Sequence, residues 1–559
     1  MSVPTSSTPS LRGFESVAAQ LDAAGLRRMF GLMGDANLDL VACCVQRHGM
    51  QYFAARTEGG AVAMADGCAR VTGEVAVATV TCGPGLTNAV TALTTAVRAG
   101  TPLLLVCGQI PLDAHSRNQR LDHAALLAPT GAAVLAVDTS AQLPGCVARA
   151  LELARVQHRP VVLNVMVPVL DEPADRDTAS MAQAAPILTQ SALCTTSGDA
   201  AAAELFAARL AAARRPVLLA GRGAVRAGAL DPIRELADRS GAMLVSTLCA
   251  KDAFAGSPRN LGLSGGFALD RAAQALKQAD LVIAFGASMN AWTTVAGTAY
   301  GAAEVMLCNS DAGAFGRASV PLAGKWQGDA QACARALLAA LPAGRRPAWH
   351  DGLGAHESPP QQESTAGRGL DPRWLCARLD RILPPQRTLA VDGGHFFEFP
   401  SKYIRVPRAQ CSLFTLDFGS IGLAMGMGLG AAVALPDSRP VIAVGDGGFM
   451  MALPELDTAV RHRLPALFVV FNDGAYGAEI KHLEERGWAP ALASFETPDI
   501  ARIARSMGAR GISIRTPQDL EANLEEIGSG DGGPLVLDVH IDASIEAEWV
   551  GLARRIRGR

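Results

Sequence analysis

Aromatic residues make up only 5 % of this 559-residue chain, and its apolar runs, such as Leu103 to Cys107 and Val161 to Val167, stop within seven or eight residues. A bilayer-spanning helix needs ~20, so none is expected. Neither sign of charge is in excess: 50 Lys plus Arg face 53 Asp plus Glu. Without a basic face that could release counterions, a nucleic-acid partner is not expected. The opening stretch, Met1 to Ser10, is rich in Ser, Thr and Pro and lacks the basic-then-apolar order of a secretory signal. A soluble, cytoplasmic protein is the resulting expectation. Twelve cysteines contain no CxxC pair, and Cys43 and Cys44 are adjacent. They read as buried thiols rather than a disulfide framework.

What the chain does have is alternation. Short apolar runs at Ala76 to Val80, Leu103 to Val106, Val134 to Val137 and Val161 to Val165 are separated by helical patterns. Runs of that length bounded by Gly and Pro read as buried parallel strands. The pattern resumes with PVLLAG, DLVIAFG and EVMLCN, and again with TLAVDGG, PVIAVGDGG, PALFVVFND and PLVLDV. Polar, Pro-punctuated stretches at 171–190 and 340–369 separate the three blocks. The fold class is therefore α/β, with three consecutive open parallel-sheet domains at 1–185, 190–345 and 370–559.

The sharpest chemical feature is VIAVGDGGFMMALPELDTAV, residues 441–460. An apolar run ends at Gly445, Asp446 follows, and Gly447 and Gly448 lead into a helix. That is the carboxyl end of a strand, where open α/β sheets bind ligands and helix N–H groups face outward. Asp446 suits a hard divalent cation, and the three glycines would let a diphosphate reach the backbone. A second strand ends in Asn472, Asp473 and Gly474. Asp473 and the Ala475 carbonyl could complete a magnesium shell. Helix capping by Asp446 and an ordinary turn at FNDG are the plainer alternatives.

The first block offers a different site. Glu58 opens the small-residue helix of ARTEGGAVAMADGCARVTG among Ala, Val and Met, surroundings that favour the neutral acid and suit proton transfer near neutral pH. A glutamate satisfying helix N–H groups is the bland reading. ATVTCGPGLTNAVTAL then gives a strand, a glycine turn and a helix, with Gly83, Pro84 and Asn88 placed to line a ligand or simply to cap and pack.

Taken in order, FGLMGDANLDL at 30–40, TEGGAVAMADGCARVTG at 57–73, GPGLTN at 83–88, GQIP at 108–111, GDGG and NDGAYG resemble the thiamine-diphosphate enzymes of the acetolactate synthase, pyruvate oxidase and benzoylformate decarboxylase superfamily. The resemblance implies that the first domain binds the aminopyrimidine and the third binds magnesium diphosphate. The middle domain would be structural or hold FAD, for which GRG at 221–223 is too short a sign. It further implies a coenzyme held between the first domain of one subunit and the third of another, in a dimer or tetramer. By resemblance Glu58 hydrogen-bonds the pyrimidine N1′ and promotes removal of the thiazolium C2 proton. Asp473 stands where the family has an asparagine, so an amide oxygen has become a carboxylate that binds the cation and repels the diphosphate.

The same resemblance places Met425, in GSIGLAMGMGLGAAVA, beneath the bent coenzyme, with a small-residue packing helix as the alternative. Gln109 falls near the active-site entrance. Leu121 and Asp122 replace a Phe-Gln pair of acetohydroxyacid synthases, and Asp122, His115 and His123 could form a polar rim. Met33 and Asp35 take positions where relatives have substrate-facing side chains. Glu479 and His482 follow NDGAYG in a region that covers the site in relatives, although alternating charges there suit a solvated helix. The implied function is a thiamine-diphosphate- and Mg²⁺-dependent carbon–carbon lyase or carboligase acting on a 2-oxo acid, acetolactate synthase-like. Simple 2-oxo acid decarboxylation, diketone or 2-hydroxyacyl-CoA cleavage, and a non-catalytic binding protein are the alternatives.

Overall fold

The computed structural model describes residues 11–174, 200–351, 369–530 and 532–558. The opening Met1 to Ser10 and most of both expected connectors lie outside the described residues. The chain divides into two compact units. One comprises 1–189, 415–436 and 451–464, and the other comprises 190–414, 437–450 and 465–559.

The first unit carries β1 (Arg28–Gly31), β2 (Gln51–Ala54), β3 (Ala76–Val80), β4 (Leu103–Gln109), β5 (Ala133–Val137) and β6 (Val161–Met166). They form one sheet in the order β2-β1-β3-β4-β6-β5, with every pairing parallel. Every residue of β3 and β4 is buried, as expected for strands covered by helices on both faces. The helices that matter to the site are α1 (Glu58–Thr72), α2 (Pro84–Ala99) and the short α3 (His123–Leu127), joined by α4 (Ala424–Ala434) and α6 (Pro454–Arg461). Between these last two in sequence comes α5 (Asp446–Met451), most of which belongs to the second unit.

Helix α4 is buried along its entire length and lies on α1. Glycines on both helices permit that approach. A Cβ on Gly67 would collide with the Met427 carbonyl, and one on Gly430 with the Met64 carbonyl. Here the small-residue pattern of the sequence is a packing device, because backbone meets backbone.

The second unit holds two more parallel sheets. One contains β7 (Pro216–Ala220), β8 (Met243–Ser246), β9 (Asn260–Leu263), β10 (Leu281–Phe285), β11 (Glu304–Asn309) and β12 (Gly324–Gln327), ordered β9-β8-β7-β10-β11-β12. The other contains β13 (Arg387–Val391), β14 (Ser412–Phe414), β15 (Arg439–Gly445), β16 (Leu467–Asn472), β17 (Arg510–Ile514) and β18 (Leu535–His540), ordered β14-β13-β15-β16-β18-β17. The three open parallel sheets are those expected from the apolar runs. Strands β15 and β16 are direct neighbours, with Gly445 paired to Phe471. The GDGG and NDG segments therefore leave the sheet at the same edge.

The helix expected to run on from GDGG is instead two, because Pro454 occupies the first turn of α6 and cannot continue a preceding ladder. No helix among the described residues is long and apolar enough to cross a membrane.

Candidate active site

The loop after β2 delivers Glu58 to the carboxyl edge of the first sheet. Thr57 caps α1, its hydroxyl accepting from the Gly60 N–H at 2.9 Å. Glu58 is buried, 9 % exposed, at a helix N-terminus that favours a carboxylate. Asn88 Nδ2 donates to Glu58 Oε2 at 3.1 Å. Oε1 meets no donor among the described residues and lies near Gly85, 3.7 Å from where a Cβ would stand. A buried carboxyl with one oxygen held and the other available fits a hydrogen-bonded ring nitrogen.

Behind Glu58 stands Glu455, a residue the sequence reading passed over. Only 2 % exposed, it accepts from Thr57 N at 3.0 Å, Thr57 Oγ1 at 2.8 Å and Thr458 Oγ1 at 2.7 Å. Its carboxylate also lies where a Cβ on Gly60 would sit. Glu455 thereby fixes the cap that aims Glu58.

The GPG turn and Gln109 come from the ends of β3 and β4. Gly83 adopts φ +59°, and Pro84 opens α2. Gly83 N donates to His123 Nε2 at 3.3 Å, His123 Nδ1 lies 2.8 Å from Asn164 Oδ1, and Asn164 Nδ2 donates to Gln109 Oε1 at 2.6 Å. Burial pulls the imidazole pKa down, against the bond to Asn164.

This geometry shows where several of the expected residues lie. His123 is fully buried, not part of a polar rim, because its ring links the Gly83 turn to Asn164. Asp122 is exposed and caps α3, accepting from Ala125 N at 3.0 Å. From this segment it is Gln119, not Leu121 or Asp122, that reaches the glycine turn. Cys82 Sγ donates to its Oε1 at 3.4 Å, and its carbonyl fills the space beside Gly83. His115 is exposed beside Arg120, while Met33 and Asp35 are exposed, with Arg117 3.6 Å from the Asp35 carboxylate.

Met425 is also misplaced by sequence reasoning. It has no exposed surface within α4, so it offers nothing for a coenzyme to rest on. Ile421, four residues earlier and half-buried before the helix, retains free surface.

In the second unit Asp446 is 1 % exposed. Its Oδ1 accepts from Gly447 N at 3.0 Å, and its Oδ2 accepts from Gly474 N at 3.1 Å and Thr497 Oγ1 at 2.7 Å. Thr497 carries no signal in the sequence. Asn472 is braced by β18, its Nδ2 donating to Asp538 Oδ1 at 2.8 Å while its Oδ1 accepts from Gly474 N at 3.2 Å.

Burial raises the Asp446 pKa despite these bonds. Burial, then the Asp446 charge, pushes the Asp473 carboxyl up to about 7. Two desolvated carboxyls, one of them raised further by the charge of the other, mark a place where a divalent cation would be stabilising. Among the described residues no cluster of three or more His, Cys, Asp or Glu side chains could hold a metal. A shell here must therefore draw on backbone oxygen, such as the Ala475 carbonyl, and on a ligand's oxygens.

The glycines of GDGG do not all serve ligand approach. Phe396, stacked on Phe471 with centroids 4.8 Å apart, lies against Gly445, and the Tyr476 ring lies where a Gly447 side chain would be. Gly448 is buried. Glu479 is exposed on α7 (Gly477–Glu485), whereas the His482 side chain is only 12 % exposed, with Arg557 2.9 Å from its Nε2.

Comparison with known proteins identifies the family. The family described as thiamine pyrophosphate enzyme matches in three parts: the N-terminal TPP binding domain over residues 11–126, the central domain over 203–337 and the C-terminal TPP binding domain over 392–539. IlvB2 of Mycobacterium tuberculosis, whose name places it among acetolactate synthase large subunits, is 29 % identical across 97 % of this chain and 99 % of its own. The acetolactate synthase isozyme 3 large subunit of Escherichia coli is 27 % identical across 92 % of both. Sulfoacetaldehyde acetyltransferase of Castellaniella defragrans is 27 % identical across 93 % and 90 %.

Among solved structures, the thiamine diphosphate-dependent 4-hydroxybenzoylformate decarboxylase of Rhodococcus jostii RHA1 superposes with a TM-score of 0.80 at 20 % identity, covering 95 % of this chain and 99 % of that one. That likeness establishes the shared fold. With all three domains matched in order, the chain belongs to the thiamine pyrophosphate enzyme family, whose members act through thiamine diphosphate and Mg²⁺.

Proposed function

We propose that the protein breaks the bond between the carboxylate and the carbonyl carbon of a 2-oxo acid, releasing carbon dioxide and an aldehyde. The carrying observation is the Glu58 carboxyl: buried, held by Asn88 at Oε2 and open at Oε1. When bound, thiamine diphosphate supplies the carbon nucleophile and the electron sink for this chemistry. The chain's residues do the rest. Glu58 exchanges a proton with the pyrimidine N1′ through Oε1, with Thr57 and Glu455 fixing its position. Asp446 and Asp473 hold Mg²⁺, and Gln109, at the end of β4, meets the substrate. Glu58 of one copy and Asp446 of a second serve opposite ends of the same coenzyme.

A second reading is carboligation, in which a further carbonyl compound captures the fragment. It is favoured by the names of the sequence relatives, two of them acetolactate synthases and one an acetyltransferase. Simple decarboxylation is favoured by the name of the superposed solved structure, a 4-hydroxybenzoylformate decarboxylase.

The discriminating experiment incubates the Mg²⁺–thiamine diphosphate holoenzyme with pyruvate, 2-oxobutyrate and benzoylformate and identifies products by mass. Aldehyde in step with carbon dioxide supports decarboxylation, hydroxyketone or acetohydroxy acid supports the second reading, and no carbon dioxide from any of the three contradicts both.

A further inference from the structure

A backbone N–H cannot reverse its role, so the contact between Gly83 N and His123 Nε2, at 3.3 Å, makes that ring nitrogen an acceptor. The ring is fully buried and burial holds it neutral, so its single proton sits on Nδ1. Nδ1–H, 2.8 Å from the Asn164 side chain, must meet the amide oxygen. Cys107 Sγ also lies on that oxygen, at 3.5 Å. The Asn164 nitrogen is thereby turned toward Gln109, 2.6 Å away, and must meet the Gln109 oxygen. Gln109 Nε2 is left with no acceptor among the described residues. Each orientation follows from the one before it, starting from a donor that admits no alternative.

The strands make this relay stiff. Asn164 on β6 pairs with Cys107 on β4, and Met166 pairs with Gln109, so both amides rise from adjacent central strands toward the same carboxyl edge. We propose that His123 and Asn164 are positioning residues that fix the polarity of Gln109, so that the site presents its substrate with an amide N–H donor and selects for an oxygen acceptor, the carboxylate or carbonyl of a 2-oxo acid. This rests on the reading above that Gln109 meets the substrate.

The test is Asn164→Asp in the holoenzyme. The change is isosteric, keeps an acceptor for His123, and replaces the donor facing Gln109 with an acceptor. Gln109 then turns its nitrogen inward and its oxygen toward the substrate. With whichever of pyruvate, 2-oxobutyrate or benzoylformate the wild type uses best, KM should rise about tenfold or more. Exchange of the coenzyme C2 proton, which precedes substrate binding, should stay at the wild-type rate. Combining Asn164→Asp with Gln109→Leu should add nothing to Gln109→Leu alone.

If Gln109→Leu is kinetically normal, the reading of Gln109 is wrong. If Gln109→Leu is impaired but Asn164→Asp keeps the wild-type KM, or if the two effects add, the relay is wrong and the reading of Gln109 stands. Should Asn164→Asp not fold, Gln109→Glu sets the same reversed polarity with the relay intact. A KM at least as high as that of Gln109→Leu is then expected, and a wild-type KM overturns the proposal.

Discussion

Asn88 Nδ2 and Glu58 Oε2 lie 3.1 Å apart, joining the first turn of one helix to the second turn of the next. The bond leaves Oε1 as the oxygen that can exchange a proton. Glu58→Gln should slow C2 proton exchange by about 100-fold or more at saturating coenzyme, the usual scale of a lost acid–base group. Asn88→Ala should slow it by roughly tenfold, since it removes orientation but not the acid. Proton exchange followed by NMR with the holoenzyme checks both, and unaltered exchange in Glu58→Gln would remove Glu58 from the mechanism.

The Asp473 carboxyl, pushed up to about 7 from an ordinary 3.8, gives the apo protein a definite pH dependence. A carboxyl whose folded pKa is raised contributes stability fully below its unfolded value, and that contribution is lost as pH rises toward and through about 7. Asp473→Asn should therefore stabilise the apo protein at pH 8 by roughly 2–4 kcal/mol and leave it nearly unchanged at pH 3.5. Chemical denaturation at the two pH values measures this. Mg²⁺ with thiamine diphosphate should reverse the preference and bind the wild type more tightly as pH rises through 7.

Asp446 combines near-complete burial with three hydrogen bonds that fix both oxygens. Asp446→Ala should weaken Mg²⁺-dependent coenzyme binding by about 100-fold. Thr497→Val, which removes only the hydroxyl at Oδ2, should cost about tenfold. Calorimetric titration distinguishes them, and equal effects would mean that Asp446 acts only through its bond to Thr497.

The crossing of α1 and α4 rests on glycine. Gly67→Ala puts a methyl into the Met427 carbonyl and Gly430→Ala one into the Met64 carbonyl, neither of which can yield without moving a helix. Each should destabilise the protein by about 1–3 kcal/mol or more. Gly73→Ala, at an open helix terminus with φ +77°, should cost less, since only backbone strain opposes it.

Most of the architecture is legible in the sequence because parallel strands buried on both faces read as short uninterrupted apolar runs, as β3, β4 and β15 do. Strand β2 escaped notice because QYFA is half-exposed and too short to stand out. Glu58, Asp446 and Asp473 can be singled out in the sequence because each lies beside glycines where a strand gives way to a helix or turn, although helix capping and turn formation explain each of them locally as well. Glu455, Thr497 and Asn164 cannot, since each acts on a residue tens to hundreds of positions away and no local spacing marks it. Met425 misleads for a physical reason: a methionine that could support a coenzyme and one wholly buried in a helix have the same neighbours in sequence.

The account stands on Glu58 and Asp446 of different copies gripping one coenzyme. Mixing Glu58→Gln and Asp446→Ala subunits under conditions that exchange them tests this directly. If each coenzyme draws on two copies, a mixed dimer contains one site bearing both changes and one bearing neither, so about a quarter of wild-type activity should return from two inactive parents at random pairing. No recovery, with mixed dimers demonstrated by mass, would mean that the two acids serve the coenzyme from a single chain or not at all.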